Sequence, residues 1–199
     1  ELAKLKNINH TLTEIKNEFP KFELVKKSDS LFMKILNVLL RIITFNSQKF
    51  FMSRYITTIG EKVYIPDNWD DMNDKSKIIV LRHERVHMRQ KKKYTFLLFT
   101  ILYLLIPFPF FIAYFRMKFE KEAYEESIKL QALLYSKTSA KSIKFKESIV
   151  KQFTTSMYGW MWVFKPSIKN TFKLIIIYKV QIHVCNILDM YIRTDLTSS

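Results

Sequence analysis

One run, His83-Glu84-Arg85-Val86-His87, constrains this chain more than any other stretch of it. Histidines at i and i+4 share one face of a helix and lie one turn apart. Two imidazoles so placed can hold one zinc ion. The glutamate beside the first then sits where it can take a proton from a water on that ion. With 4 His in 199 residues, chance supplies the pattern roughly 0.004 times in a chain of this composition. The run therefore asks three things of the other residues: a helix to carry it, a third ligand and a cleft for substrate.

The neighbouring residues supply the helix. Asp67 to Asp74 is polar and acidic, and Asn73 or Asp74 is the expected N-cap. Lys75 to about Lys93 then places Ile79, His83, Val86, His87 and Gln90 on one face, which turns both histidines inward. Arg82, Arg85, Arg89 and Lys91 to Lys93 fall largely elsewhere, and the three lysines complement the helix C-terminal dipole. Upstream, Phe50 to Thr58 alternates and is β-branched and aromatic. Gly60 supplies a turn, and Val63-Tyr64-Ile65 resumes strand character before Pro66. This predicts a β-hairpin, whose open edge can take an extended peptide as an added strand.

A catalytic zinc expects three protein ligands and one open position. No histidine lies between His87 and His183, and His10 is remote, so the remaining donor is a carboxylate on a second helix. Tyr94 to Phe115 carries no charge for 22 residues. Pro107 and Pro109 split it into pieces too short to cross hydrocarbon. It reads as a buried helical hairpin with its tip at Pro107-Phe108-Pro109. A tip dipped into a membrane and a single span are the alternatives. A helix from Phe110 to about Ser136 follows, carrying Arg116, Glu120, Glu122, Glu125 and Glu126.

At this point the chain resembles the gluzincin metallopeptidases, especially the Ste24/HtpX-like and BlaR1-like groups and their compact single-domain and phage-borne relatives. Those families follow the motif helix with an apolar stretch and a second helix bearing Glu-x-x-Ala-Asp or a close variant, with an upstream arginine. Here Arg116-Met117-Lys118-Phe119-Glu120-Lys121-Glu122-Ala123-Tyr124 stands in that place. The resemblance covers about Thr57 to Ser127. It implies Glu120 as third ligand, with Glu122 and then Glu125 or Glu126 as alternatives. It implies Ala123 as the small residue that lets the helices approach, and Arg116 as the basic position one turn earlier. The family's aspartate, which accepts a hydrogen bond from a ligand imidazole, is replaced by Tyr124, a weaker acceptor.

The resemblance thus implies a zincin-like fold of α+β class, mainly helical, with a small hairpin before the motif helix. It implies Zn²⁺ on His83, His87 and Glu120, and a peptide or protein substrate hydrolysed with Glu84 as general base. Tyr158 and His183 are the candidates for stabilising the oxyanion.

The other segments are read from pattern. Residues 1–27 are lysine-rich, with Leu2, Leu5, Ile8, Leu12, Ile15 and Phe19 at helical spacing, so a surface helix should end near Pro20. An extended piece, Phe22 to Val25, follows. Ser28-Asp29-Ser30 starts a helix over Leu31 to Phe45, whose narrow polar stripe of Lys34, Asn37 and Arg41 marks a core helix. A helix lying in a membrane interface is the alternative. Lys137 to Ser139 reads as a break. Ala140 to Phe153 is a basic amphipathic helix, apolar at Ile143, Ile149, Val150 and Phe153. Thr154 to Pro166 is an aromatic loop, and Phe172 to Ile192 fits helix and strand equally. Residues 1–136 are expected to form the metallopeptidase core with its N-terminal helices. Residues 137–199 then form an extension packed on the same domain.

Composition narrows the class. Only 2 Gly are present, which argues against a turn-rich all-β fold. The formal charge of +15 points to an anionic partner, or to a codon bias toward Lys, Ile and Asn. No nucleic-acid module is recognisable, so peripheral contact with a membrane is favoured over nucleic acid. The second function class is a basic zinc-containing binding protein, for nucleic acid or an anionic membrane surface, without hydrolysis. The lone Cys185 excludes an internal disulfide and fits a reducing compartment. The expected location is cytoplasmic, with a membrane-associated variant. The chain begins at Glu1, so residues ahead of it are expected, and no signal peptide is visible. Oligomeric state is not set by these features.

Overall fold

The structure, a computed structural model, describes residues 2–43, 45–46, 48–94, 113–154 and 170. Helices dominate it, around one small sheet. The lysine-rich start is two helices, α1 (Leu2–Leu5) and α2 (Ile8–Glu18), because the Asn7 side chain accepts from Asn9 and His10 N–H and caps a new start. α2 is more than a surface helix: Thr11 and Ile15 are buried, as is Phe19 just past its end.

The extended piece is a strand, β1 (Glu23–Lys26), which leads into a short 3₁₀ turn at Lys27–Asp29. The predicted hairpin forms between β2 (Thr57–Ile59) and β3 (Lys62–Ile65), turning at Gly60 with φ +61°. It is shorter than expected. Phe51–Arg54 folds instead as one helical turn, α4, with Phe51 buried and its carbonyl taking Lys27 Nζ at 2.8 Å. β1 joins β3 in parallel, so the order is β1-β3-β2 and β2 forms an edge.

The motif helix, α5 (Asp74–Tyr94), begins where expected, with Asn73 Oδ1 accepting from Ser76 N–H at 2.9 Å. Its buried face is rotated from the expected one. Ile78, Leu81 and Met88 enter the core, whereas Ile79 and Val86 are half-buried. One core cluster joins α2, the sheet and α5 through Ile15, Phe19, Val63, Ile65, Trp69, Leu81 and Met88. The motif helix also meets α2 by charge: Arg82 pairs with Glu14, and Arg85 and Arg89 pair with Glu18. Those arginines hold the Glu18 carboxyl down to about 2, against the opposing effect of its burial.

The second helix, α6 (Ala113–Leu134), packs along α5, with Ala123 fully buried between them. The expected break at Lys137 is a short helix, α7 (Lys137–Lys141), capped by Ser136 Oγ on Ser139 N–H. α8 (Ile143–Thr154) then lays Ile149, Val150 and Phe153 on Ile128 and Ala132 of α6. Ile143 is exposed, contrary to the expected apolar face.

The largest departure is α3 (Leu31–Ile43). Expected in the core, it buries only Met33 and leaves most of its large apolar side chains exposed. Residues 95–112, with the tip at Pro107-Phe108-Pro109, the aromatic loop from 155 onward and the region 172–192 lie outside the described residues. Among the described residues, no helix is long and apolar enough to cross a membrane.

Candidate metal centre

α5 and α6 bring three side chains to one point. His83 Nε2 and His87 Nε2 stand 3.3 Å apart. Glu120, at 1% exposure, places Oε2 3.5 Å from His83 Nε2 and Oε1 3.5 Å from His87 Nε2. A tetrahedral ion with bonds of about 2.0–2.1 Å spaces its donors by about 3.3 Å. The two nitrogens therefore have the spacing that such an ion requires, one donor atom from each of the three residues lies within 4.8 Å of the others, and two imidazoles with one carboxylate are a donor set that suits zinc. Among the described residues this is the one His/Cys/Asp/Glu group that fits a metal ion. Glu122, the alternative ligand, instead accepts from Gln90 Nε2 at 2.8 Å.

The other ring nitrogens are held too. His87 Nδ1 lies 3.0 Å from Gln90 Oε1, and the Gln90 amide is fixed in turn by Nε2 donating to Phe119 O at 3.1 Å. His83 Nδ1 lies 3.1 Å from Ser127 Oγ, whose own proton goes to Ala123 O. Both contacts suit Nδ1–H donors, which leaves each Nε2 lone pair aimed at the shared point. Tyr124 meets His83 by its ring, edge-on with centroids 4.8 Å apart. The partner of the His83 ring nitrogen is thus Ser127, one turn further along α6. Arg116 sits half-buried one turn before Glu120.

Electrostatics follow from burial and proximity. Burial resists charge on Glu120, but the His87 and His83 imidazoles outweigh it and hold the carboxyl well below its ordinary range. Burial likewise favours neutral His87, yet Glu120 and Glu84 prevail and raise it above 6.5.

Glu84 is buried beside this point and accepts a 2.5 Å hydrogen bond from Thr58 Oγ1 on the edge strand. Two amines lie in its field. Burial pushes Lys27 down to about 7 and Lys91 down to about 8, while the Glu84 carboxylate pulls both back up. Lys91 Nζ donates to Thr58 O, and Lys27 Nζ sits 3.7 Å over the Phe51 ring. A cleft of about 250 Å³ opens onto His83 and Glu84. Ile56, Ile79, Val80, Phe145 and Ile149 give it apolar walls, and Arg54 brings a cation.

His83, Glu84, His87 and Glu120 are thus brought together, with Tyr124 alongside. Tyr158 and His183 lie outside the described residues. Sequence reading missed Thr58, Ser127, Lys27, Lys91 and the α8 wall of the cleft. Ser127 had a usable signal: it falls seven residues after Glu120, two turns along the same helix face. Thr58 and Lys27 had none, because strand pairing and a turn bring them to α5 from far along the chain. Compared with protein-family models, curated proteins and solved structures, the chain matches none.

Proposed function

We propose that this chain is a zinc-dependent metallopeptidase of gluzincin type. The observation that carries the reading is the convergence of His83, His87 and Glu120, their Nε2 and carboxylate atoms in contacts of 3.3–3.5 Å, with Glu84 buried beside them at the head of a cleft. Zinc, when bound by those three residues, supplies Lewis acidity toward a water and a substrate carbonyl. Glu84 accepts the proton of the attacking water and returns it to the departing amine nitrogen. Thr58 Oγ1 holds the carboxylate in place for both transfers. Gln90 and Ser127 fix the two imidazole rings. An extended substrate adds to the β2 edge by main-chain hydrogen bonds, and its side chain enters the apolar cleft between α5 and α8.

The test is metal analysis and cleavage of a mixed peptide library, read by mass spectrometry. The parent protein should carry about one zinc and cut peptides. Glu84→Gln should keep the zinc and lose cleavage, whereas His83→Ala should lose both. Cleavage that survives Glu84→Gln, or a parent protein without zinc, overturns the reading.

A further inference from the structure

α3 does not serve the metal centre, and its surface is anomalous. Leu31, Phe32, Ile35, Val38, Leu39, Ile42 and Ile43 are all exposed, with Leu31, Ile42 and Ile43 at 72%, 67% and 70%. Isolated exposed apolar side chains are ordinary, but a continuous helical face of them marks an interaction surface. At about 100° per residue these side chains fill an arc of roughly 140°, opposite the buried Met33. Lys34 and Arg41 fall together at one border of that arc.

The helix end extends the face. Phe45 and Asn46 adopt left-handed φ of 48° and 63°, and Asn46 N–H closes on Arg41 O at 2.7 Å. Arg41 Nε donates to Asn46 Oδ1 at 2.9 Å. This stop leaves Phe45 at 93% exposure. A left-handed phenylalanine held in water costs free energy twice, in backbone strain and in apolar hydration.

Along the segment that carries the face, from Ser30 on, charge has one sign. From Ser30 to Gly60 the chain carries Lys34, Arg41, Lys49 and Arg54 and neither Asp nor Glu. We propose that α3 docks this protein onto an anionic membrane surface, its apolar arc in the headgroup–acyl boundary and its cations on lipid phosphates. The helix is 13 residues long, or about 20 Å, against roughly 30 Å of hydrocarbon, so it lies in the surface and does not cross it. A two-fold dimer through α3 fits less well. It would set Lys34 and Arg41 against their own copies, with no acid from that segment to neutralise them. Lipid phosphate supplies the missing negative charge.

The test is co-sedimentation of the full chain with vesicles, and it requires no catalysis. Vesicles of phosphatidylcholine with about 30% phosphatidylserine should bind at least ~10-fold more protein than phosphatidylcholine alone, with the difference shrinking in about 0.5 M salt. Ile35→Glu with Ile42→Glu substitutes exposed positions, so the fold should survive, as thermal melting will show. That variant should lose vesicle binding. Lys34→Glu with Arg41→Glu should weaken it on anionic vesicles only, and Ile143→Glu, exposed on α8, should leave it unchanged. Absence of binding by the parent chain overturns the proposal. So does binding that survives the Ile35/Ile42 variant. A parent that stays off vesicles but sediments as a dimer, and becomes monomeric in that variant, gives the face to a second copy and overturns it as well.

Discussion

Ser127 Oγ lies 3.1 Å from His83 Nδ1 while donating to Ala123 O, so one small hydroxyl on α6 fixes the ring orientation of a candidate ligand on α5. Tyr124, one turn earlier on α6, supports the same ring by an edge-on contact. Orientation and packing are thus divided between two residues one turn apart. Ser127→Ala should lower zinc affinity by about 10–100-fold while leaving the melting temperature of the metal-free protein nearly unchanged. A zinc titration against a competing chelator measures this. Tyr124→Phe should have little effect, because the ring contact survives.

Zinc binding should strengthen as pH rises. His87 is raised above 6.5 in the metal-free protein, and Glu120 is depressed well below 4.5. The sign follows from the protons held. The stabilisation from His87 is complete below its unfolded value and fades as pH climbs through the raised folded one. That from Glu120 is complete above 4.5 and fades as pH falls through its depressed value. The metal-free fold therefore gains from this pair between those limits. Metal must displace the imidazole proton, so apparent affinity should fall steeply on the acid side of the His87 value. Calorimetric titration in two buffers of different ionisation enthalpy should record proton release from His87 on the acid side of its raised value.

How much of this was legible in the sequence depends on range. α5 was readable because its polar cap, periodicity and closing lysines all lie within it. The His83–His87 pair was readable because both histidines share one helix face, whereas Glu120 was reached through the family resemblance, with Glu122, Glu125 and Glu126 as alternatives. Thr58 and Lys27 were not, since only the β1-β3-β2 order and the turn after β1 carry them to Glu84. α3 misled for a different reason. Its composition is that of a core helix, and periodicity cannot distinguish a face buried in protein from one left for another apolar medium. Phe51–Arg54 misled because aromatic and β-branched residues favour strands only weakly. The buried Phe51 ring under the Lys27 amine takes precedence.

Lys27 is a buried amine that tells on stability. Its folded value is about 7, against 10.5 when free. Between those values the unfolded chain holds a proton that the folded chain does not, so stability should rise with pH across that window. Lys91, at about 8, adds a smaller effect of the same sign. Below neutral pH the burial of the charged amine opposes folding in full. Lys27→Met removes that charge while keeping the length of the stem against Phe51. It should stabilise the protein by about 1–2 kcal/mol near pH 6 and flatten the rise toward pH 10, despite the donor lost from Phe51 O. Urea unfolding at a series of pH values measures both. A variant with the slope of the parent would show that Lys27 stays charged throughout.

Gly60 decides where the edge strand lies relative to Glu84. It holds φ +61° at the β2–β3 turn, with nothing within 4 Å of where a Cβ would stand. Substitution by alanine therefore meets no clash and suffers only the left-handed backbone penalty, about 1 kcal/mol. Asparagine tolerates that conformation better and should lose less than half as much. The strain acts on the register that sets Thr58 opposite Val63 and so presents Thr58 Oγ1 to Glu84 at 2.5 Å. Gly60→Ala should lower peptide cleavage more than Gly60→Asn, with zinc content equal in both, because the triangle of donors stands on α5 and α6 alone. Parallel measurement of unfolding free energy, bound zinc and cleavage for the two variants checks each part. A fall in zinc content along with activity would mean that the sheet supports the donors and not just the glutamate.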